Sequence, residues 1–161
     1  MNAPRSGPVR VSGSLAAPHT GLPLDYQAFR QMTQRAYLRY ARARTGDSAT
    51  AERSVHAAFG ELSKRWAEVL RSSCPAAVAW DILSRAVATH EDGRVDPRLQ
   101  RGALLRLTGP QADAVLLHRQ LRLTAAEAAD LMGIRTSSLR ALLRTAERAL
   151  RVNPSLCDGS P

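Results

Sequence analysis

Three observations predict an all-α protein. Aromatic residues make up only 4% of the chain while Ala, Leu and Arg abound, a composition that favours helices over a β-sandwich. Apolar residues recur at steps of three and four through several segments, the period of a helix with one buried face. The stretch 107–150 reads as helix, short polar break, helix, tight turn, helix. Two small helical domains are expected: three helices over residues 24–90, then a helix-turn-helix over residues 107–152. A linker at 91–106 would join them, with flexible tails at 1–23 and 153–161.

Residues 1–23 are rich in Pro, Gly, Ser and Ala and show no period, the pattern of a tail that cannot bury a core. From Leu24 onward, Tyr26, Phe29, Met32, Ala36, Tyr37, Tyr40 and Ala41 fall at helical spacing. They predict an amphipathic helix ending near Gly46 and Asp47, with Arg30, Arg35, Arg39, Arg42 and Arg44 on its other face. Ser48 is placed to cap a second helix that runs through Val55, Ala58, Phe59, Leu62 and Trp66. The run from Ser72 to Pro75 breaks the pattern. A third helix then carries Val78, Ile82, Leu83, Ala86 and Val87 inward and ends by Glu91-Asp92-Gly93. Phe29, Phe59, Trp66 and Trp80 are the expected large core members, so the aromatic residues are read as core rather than as a base-stacking platform. Residues 91–106 hold Gly93, Pro97 and mixed charges, which suits a linker with a short helical turn at its end.

The C-terminal stretch carries the most local information. Thr124 is a natural N-cap, and Glu127 three residues later completes a capping box. Ala128, Ala129 and Met132 follow on the inward face, and Gly133 stands where the chain must turn sharply, a conformation cheap only without a Cβ. Ile134 is placed to plug the core between two helices, and Leu139, Leu143, Ala146 and Leu150 form one apolar stripe on the last helix. Arg135, Thr136, Ser137, Arg140, Ala141 and Arg144 are left on the outer face. A recognition helix sets its first residues against base edges in the major groove. Arginine reads guanine there through a two-pronged hydrogen bond, and hydroxyls contact phosphates or bases. The plain alternative is a helical hairpin with a solvated basic face.

At 161 residues and a net charge of +9, the chain suits a polyanionic partner, most simply nucleic acid. All but one of its 23 basic residues are arginine, Lys64 being the exception. A GC-rich coding sequence explains that bias as well as phosphate binding does, so charge alone decides little. Cys74 and Cys157 are far apart and His19, His56, His90 and His118 are scattered; neither metal spacing nor a disulfide scaffold is expected, and a reducing cytoplasm fits. No window approaches the roughly 18 apolar residues of a membrane span, and no secretory signal is recognised. Glu52, Glu61 and Glu68 lie among Arg53, Lys64 and Arg65, the pattern of surface ion pairs. With no phosphate loop, nucleophile elbow or convergent acid–base set, no catalysis, cofactor, metal or small-molecule substrate is expected.

Taken together, the segments resemble the small bacterial sigma factors of the extracytoplasmic-function group, within the sigma-70 family, over most of residues 24–152. In the part resembling region 4, the resemblance rests on Leu107, Gln111, Leu116, Leu117, Leu123, Thr124, Ala126, Glu127, Ala129, Gly133, Ile134, Leu143, Ala146 and Leu150. In the part resembling region 2 it rests on Gly46, Asp47, Ala51, Glu52, Val55, Phe59 and Trp66. The resemblance implies a factor that binds core RNA polymerase and promoter DNA. Region 2 would dock on polymerase through a face that includes Glu52, Arg53 and His56, and open the minus-ten element. Region 4 would read the minus-thirty-five element through Arg135, Ser138, Arg140 and Arg144, and Thr136 and Ser137 of the outer face complete the candidate DNA-binding set. An anti-sigma partner is suggested by the resemblance alone.

The departures bear on the same functions. The docking face, acidic in the family, reads Arg53, Ser54, His56 and Ala57 after Glu52, which weakens or reverses complementarity with a basic clamp. Where the family carries a basic helix that holds DNA, this chain has Glu91, Asp92 and Asp96, and negative charge repels phosphate. The loop expected between Trp66 and Trp80 holds Arg71, Ser72, Ser73 and Cys74, with no aromatic wedge for a flipped base. Two readings therefore stay open: a divergent working sigma factor, or a sigma-like regulator or protein-interaction module that does not itself initiate transcription. Amphipathic helices such as Leu139 to Leu150 serve partner surfaces as readily as DNA. A membrane-surface role is disfavoured.

Overall fold

The computed structural model describes residues 21–89 and 107–151, and every regular element among them is helical. The expected linker at 91–106, the acidic run at Glu91, Asp92 and Asp96, the tail at 153–161 and nearly all of the N-terminal tail lie outside the described residues. The elements are α1 (Leu24–Thr45), α2 (Ser48–Lys64), α3 (Trp66–Arg71), α4 (Pro75–Thr89), α5 (Gly109–Val115), α6 (Ala125–Met132) and α7 (Thr136–Arg151). Leu116–Gln120 continues α5 as a π-helical turn, closed by the bond from Leu121 N to Leu116 O at 3.0 Å.

Helix α1 ends where Gly46 turns left-handed, with φ of 68°. The next helix is capped one residue earlier than expected. Asp47, not Ser48, is the N-cap of α2, its Oδ2 accepting from Thr50 N at 2.8 Å. The Thr50 hydroxyl, the first cause, and then this backbone bond hold the Asp47 carboxyl below its ordinary range. A further departure is that α2 stops at Lys64. Arg65 leaves the helical region, its N–H reaching back to Leu62 O at 3.2 Å, and Trp66 opens the separate short helix α3. The bend turns Trp66 and Val69 into the core, where they are 5% and 1% exposed.

The core is richer in tyrosine than the pattern suggests. Tyr26, Tyr37 and Tyr40 are all fully buried, whereas Phe29 is half-buried. Each tyrosine body packs on other rings: Tyr37 stacks on Phe59 at 5.6 Å, and Tyr40 tilts against Trp80 at 4.6 Å. A buried phenol needs a partner for its O–H, and Tyr26 donates to Phe59 O at 2.7 Å. Burial alone pushes the Tyr37 phenol far up. Trp66 Nε1 is buried without a hydrogen-bond partner among the described residues. One expected core residue is not in the core. Met32 is 83% exposed, because the inward face of α1 follows Tyr26, Tyr37, Tyr40 and Ala41, and Met32 falls outside that arc.

The two helical groups share one continuous cluster of buried side chains, running from Tyr26 and Trp80 through Leu117 and Ala128 to Leu139. Tyr40 Oη donates to Asp113 Oδ1 at 2.7 Å, and Arg44 Nη1 lies 3.4 Å from the same oxygen. Arg39 Nη2 donates to Leu121 O at 2.7 Å. Cys74 Sγ donates to Gly133 O at 3.3 Å. The two groups also meet backbone to backbone at Gly133, whose φ is +65°. A Cβ there would stand 2.1 Å from Ala77 N and 2.7 Å from Ala76 C.

Two glycines make opposite predictions. Gly133→Ala combines a left-handed backbone with a backbone overlap and should cost about 2–5 kcal/mol. Gly60, inside α2, faces open space, so Gly60→Ala should stabilise by about 0.5–1 kcal/mol through backbone entropy. Urea denaturation of both variants checks the pair, and equal small effects would contradict the packing at Gly133.

Candidate nucleic-acid interface

The candidate face is built upward from the start of α6. Thr124 has extended backbone geometry as N-cap; its Oγ1 accepts from Glu127 N at 3.2 Å, while Glu127 Oε2 accepts from Thr124 N at 2.8 Å. This is the reciprocal pair that the two residues predict. The Thr124 backbone N–H, the leading cause, together with the Thr124 side chain holds the Glu127 carboxyl below its ordinary range. At the other end, Gly133 terminates α6 in the left-handed region, donating to Asp130 O at 3.2 Å, and Ile134 N donates to Ala129 O at 3.0 Å. Ile134 is half-buried against the core, as its position between two helices suggests.

Helix α7 leaves that turn with its apolar stripe inward. Leu139 and Ala146 are fully buried and Leu143 and Leu150 are half-buried. The sequence-predicted contact residues divide as follows. Arg135, Ser137, Ser138, Arg140 and Arg144 are exposed, and Thr136 is half-buried at the first helical position. At about 100° per residue, Ser137, Arg140 and Arg144 fall within one narrow arc of the helix. Ser138 stands well round from that arc, on the side of Leu142. Arg148 continues the arc one turn beyond Arg144 and is exposed, a contact residue that the spacing 140, 144, 148 signals although it lies beyond the first turns of the helix. Arg135, Arg140, Arg144 and Arg148 enter no ion pair among the described residues.

Glu147 is the sole carboxylate on α7, and Arg119 Nη2 meets its Oε1 at 2.5 Å. The strip therefore presents positive charge with its one acidic member bound from the side. His118 is half-buried, as a helix-face residue beside the Leu116–Leu117 pair. Its Nδ1 is 2.8 Å from Leu123 O, so that nitrogen donates to the carbonyl.

On the other helical group, Glu52, Arg53 and His56 are all exposed and share one face of α2. Glu52 is bound by Arg42 Nη2 at 3.1 Å, and Arg53 Nη2 donates to Thr50 Oγ1 at 3.0 Å. What is left of that face is neutral to basic. The loop expected between Trp66 and Trp80 is mostly helical: α3 and the first turn of α4 take up all but Ser72, Ser73 and Cys74. Trp66 and Trp80 are 5% and 6% exposed, so neither presents a ring at the surface. Among the described residues no helix is long and apolar enough to cross a membrane. No family model matches the chain, and no curated protein matches it at a significant level.

The capping pair at α6 gives a pH-dependent expectation. Thr124→Ala should destabilise by about 1 kcal/mol through loss of the cap. Because the folded pKa of Glu127 lies below its ordinary value of 4.5, its contribution is complete above that pH and is lost as pH falls through the folded value. Glu127→Gln should therefore lower stability at neutral pH yet lose less than the parent between about pH 5 and 3. Thermal melts across that range check it, and parallel acid limbs would contradict the pairing.

Proposed function

We propose that this chain is a sigma-like transcription initiation factor that binds core RNA polymerase and directs it to promoters, with α7 reading the minus-thirty-five element. One observation carries the reading: a capped helix, a glycine turn and a second helix that holds Ser137, Arg140 and Arg144 on one exposed arc. Free guanidinium groups on such an arc have the geometry for guanine edges and phosphates in a major groove. The resemblance of residues 24–152 to extracytoplasmic-function sigma factors supplies the polymerase as partner, through the face of Glu52, Arg53 and His56. Reading and docking then fall on different helical groups.

A specific observation favours a second reading. Glu52 is occupied by Arg42, leaving Arg53 and His56 to define a face that would meet a basic clamp, and neither tryptophan is available to stack on an unpaired base. A regulator that binds duplex DNA or a protein partner without starting transcription needs neither property.

Titration of fluorescent full-length protein with core RNA polymerase, followed by anisotropy across a salt series, separates the two. Saturable binding in the nanomolar range is expected; no binding at micromolar polymerase by folded protein sinks the initiation reading. For DNA, Arg140→Ala should cost about 1–3 kcal/mol on the preferred duplex and relax preference at one base pair. An equal loss on every duplex would reassign Arg140 to phosphate.

A further inference from the structure

The segment that joins the π-helical turn to α6 contains an arginine in an unfavourable conformation. Arg122 has φ of 58°, and among the described residues it is the only non-glycine with positive φ. A side chain in that region is strained and glycine is not, so the backbone here calls for glycine and the sequence supplies a guanidinium. Such an outlier is informative when the side chain has somewhere to act. Arg122 lines an open groove of about 680 Å³, together with His118, Arg119, Thr124, Leu143 and Glu147.

The groove borders the exposed arc of α7, since Arg140 and Arg144 each stand three residues before Leu143 and Glu147 in turn. Its charges are not equivalent. Arg119 is held by Glu147, which removes the groove's one acidic wall and uses up that arginine. Arg122 is exposed and enters no ion pair among the described residues. The bond from Leu121 N to Leu116 O at 3.0 Å, and that from Arg39 Nη2 to Leu121 O at 2.7 Å, fix the backbone before Arg122. The bond between His118 Nδ1 and Leu123 O and the reciprocal cap at Thr124 fix it after.

We infer that Arg122 is a phosphate-binding residue for duplex DNA, gripping the strand that borders the groove in which α7 lies. It positions the protein and does not read sequence. This rests on the proposed function, in that it presumes α7 binds duplex DNA.

The variant Arg122→Gly removes the charge and relaxes the backbone together. The full-length protein is titrated with several duplexes of different sequence from 0.05 to 0.3 M salt, and melted in parallel. Arg122→Gly is expected to keep or raise the melting temperature. It should weaken binding about fivefold at 0.15 M salt on every duplex, and make the slope of log K against log salt shallower by about 0.9. Wild-type binding with an unchanged slope and affinity in Arg122→Gly overturns the inference and leaves the proposed function standing. Failure of the wild type to bind any duplex overturns both. A loss confined to one duplex sequence also overturns it, because that is base reading.

Discussion

Gly133 occupies a place that admits a hydrogen atom and no side chain. Its Cα faces the first turn of α4, where a Cβ would overlap Ala76 and Ala77, and its left-handed backbone ends α6. One residue thus sets two directions at once. It determines where α7 departs from α6, and it brings that turn against the other helical group. Ile134 and Leu139 then anchor the departure in the core, so the outward arc of α7 is fixed by what lies beneath it. On the proposed reading, whatever Arg140 and Arg144 do to DNA depends on that anchoring, because a recognition helix works only at a defined tilt.

A polar link reinforces the apolar one. Asp113 is 6% exposed, and a carboxylate so placed is costly unless it is bonded and paired. Tyr40 and Arg44, one turn apart on α1, supply both partners. Because both come from the same helix face, the link fixes the register of α5 on α1 more narrowly than apolar contact would. Arg39 extends the same register by binding Leu121 O, just past the π-helical turn. That turn inserts an extra residue into the helical ladder, and the strained Arg122 follows directly from it. Strain at Arg122 and order at Asp113 are therefore two ends of one short segment.

The all-α class was legible in composition and period, and the α6–α7 unit was legible nearly residue by residue. Its signals are local: a cap, a glycine and a stripe each act within a few residues. What the sequence hid depended on non-local packing. Met32 matches the helical period yet faces solvent, because the period cannot say where the buried arc of a long helix ends. Asp47 and Ser48 both have cap chemistry, and only backbone geometry chose between them. The break at Arg65 has no proline or glycine to mark it; it exists because Trp66 and Val69 gain burial by it. The candidate face was legible at Ser137, Arg140 and Arg144 for the same local reasons. Arg122 was not, since nothing in a sequence of arginines and leucines indicates a positive φ.

The abundance of arginine, ambiguous in the bare composition, becomes informative once position is known. Arg42, Arg44, Arg65, Arg85 and Arg119 are bonded to carboxylates of this chain. A mutational bias toward arginine places residues without regard to such partners, and a folded surface then neutralises whichever it can. Among the described residues Arg122, Arg135, Arg140, Arg144 and Arg148, along α7 and the groove beside it, are not neutralised in that way, and neither are Arg30, Arg35, Arg39, Arg53 and Arg71 on α1 to α3. The single carboxylate of α7 is the one that Arg119 binds from outside the helix. Paired arginines on α1 to α4 stabilise the chain against itself. An uncompensated row along one helix does nothing for the fold and repels itself, and on the proposed reading duplex DNA would offset that repulsion. What supports the DNA-reading half of the proposed function is thus the placement of Arg140 and Arg144 on the exposed arc of α7 rather than the number of unpaired arginines, and the polymerase-docking half rests on the face of α2.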